Sequence, residues 1–183
     1  MPVMSDTVSQ AALLPILICP DPKLRRLARA VTESDREELA SLIPSMFETM
    51  YKAPGIGLAA PQVGKLLRLI TIDLAPEKVP QPIVLINPEI IGESAETASQ
   101  EEGCLSVPEQ YAEVVRPARV KVRYHDENWV KRELEAEGLM AACVQHEIDH
   151  LNGVLFVDHL SSLKRNILLR KLAKAVKELG PRR

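Results

Sequence analysis

The segment His146-Glu147-Ile148-Asp149-His150 constrains this chain more than any other. On a helix, positions i and i+4 differ by about 40° around the axis and stand one turn apart, so both imidazoles can face one divalent ion. Glu147 then lies beside an open coordination position, where a carboxylate can take the proton of a metal-activated water. The plain alternative is a helix that carries two histidines in its core or in solvent. Leu139, Ala142 and Cys143 share the same face one and two turns earlier, which puts the histidines on the buried side. Two buried imidazoles without partners are costly.

A metal needs a third ligand, and the downstream sequence does not supply it in either common peptidase arrangement. Metzincins use a histidine six residues after the second one, with a glycine between; here Gly153 matches the glycine, but the ligand position holds Phe156. Thermolysin-like peptidases use a later glutamate, and after His150 the carboxylates are Asp158 and Glu178, the latter within a basic tail. Cys143 is seven residues from His150, about 10.5 Å along a helix at roughly 1.5 Å per residue, and suits a pocket wall better than a shared ion. Cys104 remains, in Glu102-Gly103-Cys104-Leu105-Ser106. Gly103 lets backbone approach closely, and a thiolate is a strong ligand for zinc or ferrous iron. As an isolated cysteine it is more commonly a small core hydrophobe. The three cysteines, Cys19, Cys104 and Cys143, are a poor disulfide framework and fit a reducing, cytoplasmic setting.

Composition bounds the rest. With 183 residues, 46% hydrophobic and 26% charged, the chain is an ordinary globular length and mixture, and only 3% is aromatic, so aliphatic side chains must fill the core. Net charge is −2, but residues 161–183 hold eight basic residues against one acid. The apolar run Ala11–Cys19 is too short to cross a bilayer, and no Lys or Arg precedes it, so neither a membrane span nor a signal peptide is expected.

Residues 1–14 read as a flexible polar extension, and 15–183 as one domain. A helix is expected through Leu39, Leu42, Ile43, Met46, Phe47 and Met50, capped by Thr32 or Ser34, with Pro44 kinking or shortening it. Leu66–Asp73 and Ile83–Asn87 read as strands, and 87–117 as mixed, turn-broken chain. Arg119–His125 alternates as a half-buried strand and pairs with Val130–Glu135 across Asp126–Trp129. Leu139–Leu151 is helical, with Gly153 as its stop. A last amphipathic helix spans about 162–179, with Leu168, Leu172, Ala175, Val176 and Leu179 on one stripe. The class is α+β, with mixed or antiparallel sheets around a central HExxH helix and a C-terminal helix. Gly55–Gly64 nominally fits a dinucleotide fingerprint, but a helix precedes it and a strand follows, so no nucleotide cofactor is expected.

Three segments together, GIGLAAPQVG at 55–64, EGCLS at 102–106 and QHEIDHL at 145–151, resemble in order and spacing the signature motifs of the peptide deformylase family, in its bacterial type 1 form. The resemblance implies that Cys104, His146 and His150 bind one divalent metal, Fe²⁺ as the native ion with Zn²⁺, Ni²⁺ or Co²⁺ able to substitute. Such an open site makes hydroxide available near neutrality. The implied reaction removes the formyl group from N-formylmethionyl nascent peptides. Glu147 would act as proton acceptor and donor, and the Gln62 amide and Leu105 N–H as oxyanion donors. Gly57 would meet substrate backbone, and Leu139, Ala142 and Cys143 would line the methionine pocket. Glu102 and Arg116 are expected to pair and hold the cysteine loop. The basic tail implies possible ribosome docking, against a plain reading as the solvated face of a capping helix. The rival readings are an HExxH zinc endopeptidase and a non-catalytic RNA-associated protein with a structural metal.

Overall fold

The computed structural model describes residues 11–180. The part of the expected extension at 1–10 lies outside the described residues. At Leu14 the backbone N–H already donates to the Thr49 hydroxyl at 2.9 Å, and its side chain packs on the core.

Helix α1, Arg36–Lys52, forms on the stripe Leu39, Leu42, Ile43, Met46 and Met50, all buried. Pro44 neither ends nor shortens it. The proline and Ala40, whose carbonyl loses its N–H partner, both sit on the exposed side, where water can satisfy that oxygen. Ahead of α1, Thr32 N–H donates to Asp35 Oδ2 at 2.8 Å, while Arg29 clamps the same carboxylate from outside at 2.8 and 2.9 Å.

Five antiparallel strands form the main sheet: β1 (Gly57–Ala59), β2 (Leu69–Ile72), β3 (Ile83–Glu93), then β6 (Arg119–His125) and β7 (Lys131–Glu137). Between β3 and β6 the chain makes a separate antiparallel ribbon of β4 (Thr97–Cys104) and β5 (Val107–Pro117). The expectation of mixed, turn-broken chain at 87–117 is thus corrected. Asn87-Pro88 is not a strand end: Asn87 takes a φ of +51° at a register shift, and its side-chain amide pairs with the Val31 backbone at 2.8 and 3.0 Å. The ribbon buries Glu102 and Arg116 beside Val107 and Val114, so a polar pair occupies positions where a hydrophobic alternation is looked for.

Helix α2, Gly138–Leu151, lies across the inner face of the sheet, where Val144, Ile148 and Leu151 pack with Ile70, Ile72, Leu85, Val120 and Val122. A second apolar cluster joins α1 to β1 and β2 through Met46, Met50, Leu58 and Leu69. Helix α3, Ser162–Leu179, caps the ribbon. It buries Leu168 and Leu172 only, while Val176 and Leu179 stay exposed, because the helix outruns the body it packs on. No helix among the described residues is long and apolar enough to cross a membrane.

Gly153, just past α2, has a φ of +73°, and a Cβ there would lie 2.5 Å from the Arg25 carbonyl oxygen. Both conformation and contact exclude a side chain. Gly153→Ala is therefore expected to lower the unfolding free energy by about 2 kcal/mol or more, measured as a drop in urea midpoint at unchanged slope.

Candidate metal centre

Four local structures converge on one cavity of about 690 Å³. α2 contributes His146, Glu147 and His150, all buried. Cys104 ends β4, at the turn where the ribbon reverses and its register shifts. The ligand atoms of Cys104, His146 and His150 all lie within 4.8 Å of one another, and Cys104 Sγ is 3.3 Å from His150 Nε2. Of the two cysteines, Cys104 stands beside the histidine pair, while Cys143, buried one turn before Glu147, lines the cavity wall. Donors of this kind, one thiolate and two imidazoles with no fourth protein ligand in the group, fit an ion that keeps an open position.

The histidines are prepared differently. His146 Nδ1 lies 3.0 Å from Glu102 Oε2, which fixes that proton and leaves Nε2 for a metal. Burial pushes His150 well below its usual pKa and keeps the ring neutral, the form that ligates. Glu102 is itself clamped by Arg116, at 2.6 and 3.0 Å. Burial works against a charge on Glu102, but hydrogen bonds from His146 and Arg116 outweigh it and hold the carboxyl at about 2.

Glu147 is the opposite case. Its Oε2 is buried without a hydrogen-bond partner among the described residues, and burial pushes the carboxyl up to about 7. A carboxyl poised there can exchange a proton at neutral pH. Its room is made by Gly57: a Cβ on that glycine would meet Glu147 Oε1 at 2.7 Å and Cys143 Sγ at 2.9 Å.

Gln62 sits in the 3-10 turn Ala60–Val63 that follows β1. Ala59 N–H donates to Gln62 Oε1 at 3.0 Å, which turns Nε2 the other way, toward Ser106 Oγ at 3.1 Å and Cys104 Sγ at 3.5 Å. Leu105 occupies the ribbon turn and lines the same cavity. Ala142 and Cys143 form the wall, and Leu139, in the first turn of α2, stays half-exposed at the mouth rather than on the buried side.

Comparison with known proteins decides the family. The polypeptide deformylase family model matches residues 13–166. The chain belongs to that family. Among similar proteins, the peptide deformylase of Mesorhizobium japonicum is 56% identical over 169 residues, covering 91% of this chain and 95% of that one. That of Bradyrhizobium sp. BTAi1 is 55% identical over 174 residues, covering 92% and 99%. The crystal structure of a peptide deformylase from Legionella pneumophila superposes with a TM-score of 0.86 at 49% identity, over 94% of this chain and 99% of that one. The resemblance carried by the three motifs, and the α+β class, are borne out.

The deformylase fold brings the expected site residues to the lining of this cavity, except His150, which stands behind the lining against Cys104, and Arg116, which stands behind Glu102. Sequence reasoning missed Ile16, Ile56 and the Pro108–Tyr111 wall, which carry no periodic signal, and it missed Asp149, which accepts from Arg116 at 2.9 Å although it stands inside the motif itself. Phe156, considered only as an absent ligand, stacks on His146 with centroids 6.1 Å apart.

The Glu102 carboxyl, held at about 2 when folded against an ordinary 4.5, stabilises the fold fully above about pH 4.5 and loses that contribution as pH falls toward 2. Glu102→Gln is expected to lower unfolding free energy near neutrality by on the order of 3 kcal/mol. Urea titrations at several pH values should show the gap between parent and variant closing between about pH 4.5 and 2.

Proposed function

We propose that Cys104, His146 and His150 hold one divalent cation, and that Glu147, Gln62 and Leu105 work around it to hydrolyse the formyl amide of N-formylmethionyl nascent peptides. Members of the family are metalloenzymes, and the chain is a hydrolase that removes this formyl group. The observation that carries the residue assignment is the convergence of one thiol and two imidazoles on a cavity floor beside a buried, unpartnered carboxylate. An ion bound there supplies Lewis acidity toward water and toward the formyl oxygen. Among candidate ions Fe²⁺ is the reading we favour, with Zn²⁺, Ni²⁺ and Co²⁺ able to occupy the same soft and borderline ligands.

Glu147 takes the proton of the attacking water on its free Oε2 and returns it to the amine nitrogen, which leaves poorly unless protonated. The charge developing on the formyl oxygen is met by Gln62 Nε2, already aimed by its bond from Ala59 N–H, and by the Leu105 backbone N–H. Substrate backbone lies along β1, an edge strand of the sheet, with Gly57 allowing close approach. Leu139, Ala142 and Cys143 receive the methionine side chain. The basic helix α3, with Leu163, Ile167 and Leu179 exposed among its cations, is the surface we assign to the ribosome. A substrate of newly made chains gives the enzyme a cytoplasmic place of work, with residues 15–183 as a single catalytic unit.

Glu147→Gln is expected to bind metal as the parent does while formate release from formyl-Met-Ala-Ser falls by 10²-fold or more. A chelator should abolish release in the parent and added metal restore it. Casein cleavage would favour an endopeptidase instead, and full metal occupancy without any hydrolysis would favour a structural metal. Truncation after Leu160 should weaken ribosome binding, and binding by the full chain should fall steeply with salt; salt-insensitive binding would remove the assignment.

A further inference from the structure

Behind His146 a hydrogen-bonded chain continues past Glu102 and Arg116 to the protein surface. Arg116 gives Nε and one terminal nitrogen to Glu102 and the other, NH1, to Asp149 Oδ2 at 2.9 Å. The same Asp149 oxygen lies 2.8 Å from His159 Nε2, and His159 is about one third exposed. With His159 protonated on Nε2 and His146 on Nδ1, donors and acceptors alternate from His159 to Asp149, from Arg116 to both carboxylates and from His146 to Glu102, and Arg116 NH1 also lies 3.4 Å from His159 Nε2.

His159 does not hang free at the end of this line. It closes the 3-10 turn Phe156–His159, whose preceding residue Asp158 is pinned by Arg25 and by the Leu155 backbone N–H. Phe156, at the start of the turn, is buried and stacks on the His146 ring. One four-residue turn therefore touches the ligand helix twice, on the face of His146 and on the side chain of Asp149.

We propose that His159 is a positioning residue for the metal centre: by holding Asp149 it fixes Arg116 on Glu102, and thereby the orientation of His146. This rests on the reading of His146 as a ligand. Asp149 is partly exposed and its other oxygen has no side-chain partner among the described residues, so without His159 the carboxylate can rotate toward water and draw Arg116 from its bidentate seat. Groups that orient a ligand directly change metal affinity by about 10–100-fold, and one link further out the effect is smaller.

The test is zinc binding to the full chain, read by competition with a chromophoric chelator. His159→Ala is expected to raise the dissociation constant by roughly threefold to tenfold, and His159→Gln, whose amide can still donate to Asp149, to restore most of the loss. Asp149→Asn should weaken binding too, and His159→Ala should add little in that background, because both act through one contact. An unchanged dissociation constant in His159→Ala, or full additivity of the two changes, would overturn the inference while leaving the ligand assignment standing. A parent chain that binds no zinc would overturn the ligand assignment and this inference with it.

Discussion

The burial of two imidazoles and a carboxylate on one helix face is the constraint around which this protein is built. Each of those groups loses water on entering the interior, and they are compensated unequally: Glu147 Oε2 and His150 Nδ1 have no hydrogen-bond partner among the described residues. His146 finds Glu102, whose own charge is held by hydrogen bonds from both His146 and Arg116. A buried ion pair of this sort is poor evidence of stability for its own sake, since desolvation offsets most of its attraction. Its value here is geometric. It fixes one ring nitrogen as donor and directs the other at the cavity floor.

That arrangement explains why the ribbon exists as a separate sheet. A two-stranded ribbon is marginal alone, and this one is fastened to α2 through Glu102, Arg116 and the position of Cys104 at its turn. The five-stranded sheet holds α2 by ordinary apolar packing, through Val144, Ile148 and Leu151. Two different forces therefore hold the two walls of the cleft. Gly57 lets β1 close on α2, and Gly103 leaves room for the ring of its cross-strand partner: a Cβ there would stand 2.5 Å from Tyr111.

Much of this is written in the sequence where burial is apolar and periodic. Helix α2 and the β6–β7 hairpin follow from repeating side chains, and the site follows from three short motifs whose residue types are chemically restrictive. The ribbon does not, because an acid and a base, Glu102 and Arg116, share its inward positions with Val107 and Val114, and its outward positions Glu101 and Glu113 face each other across the strands. The far end of α3 misleads in the other direction, since Val176 and Leu179 extend the apolar stripe of the buried Leu168 and Leu172 yet stay exposed themselves. Asp149 and His159 left no trace at all, as a pair ten residues apart becomes visible only when the turn after Gly153 folds back.

Strand β1 is only three residues long and sits at the margin of its sheet. An unpaired margin of that kind invites any extended polypeptide to zip onto it, including a neighbour of the same sequence. Three residues recessed in a cleft admit the tip of a thin, unfolded chain and turn away a broad, finished sheet. If substrate backbone lies along β1 as proposed, the brevity of that strand sorts guests by their state of folding, before any side chain is inspected.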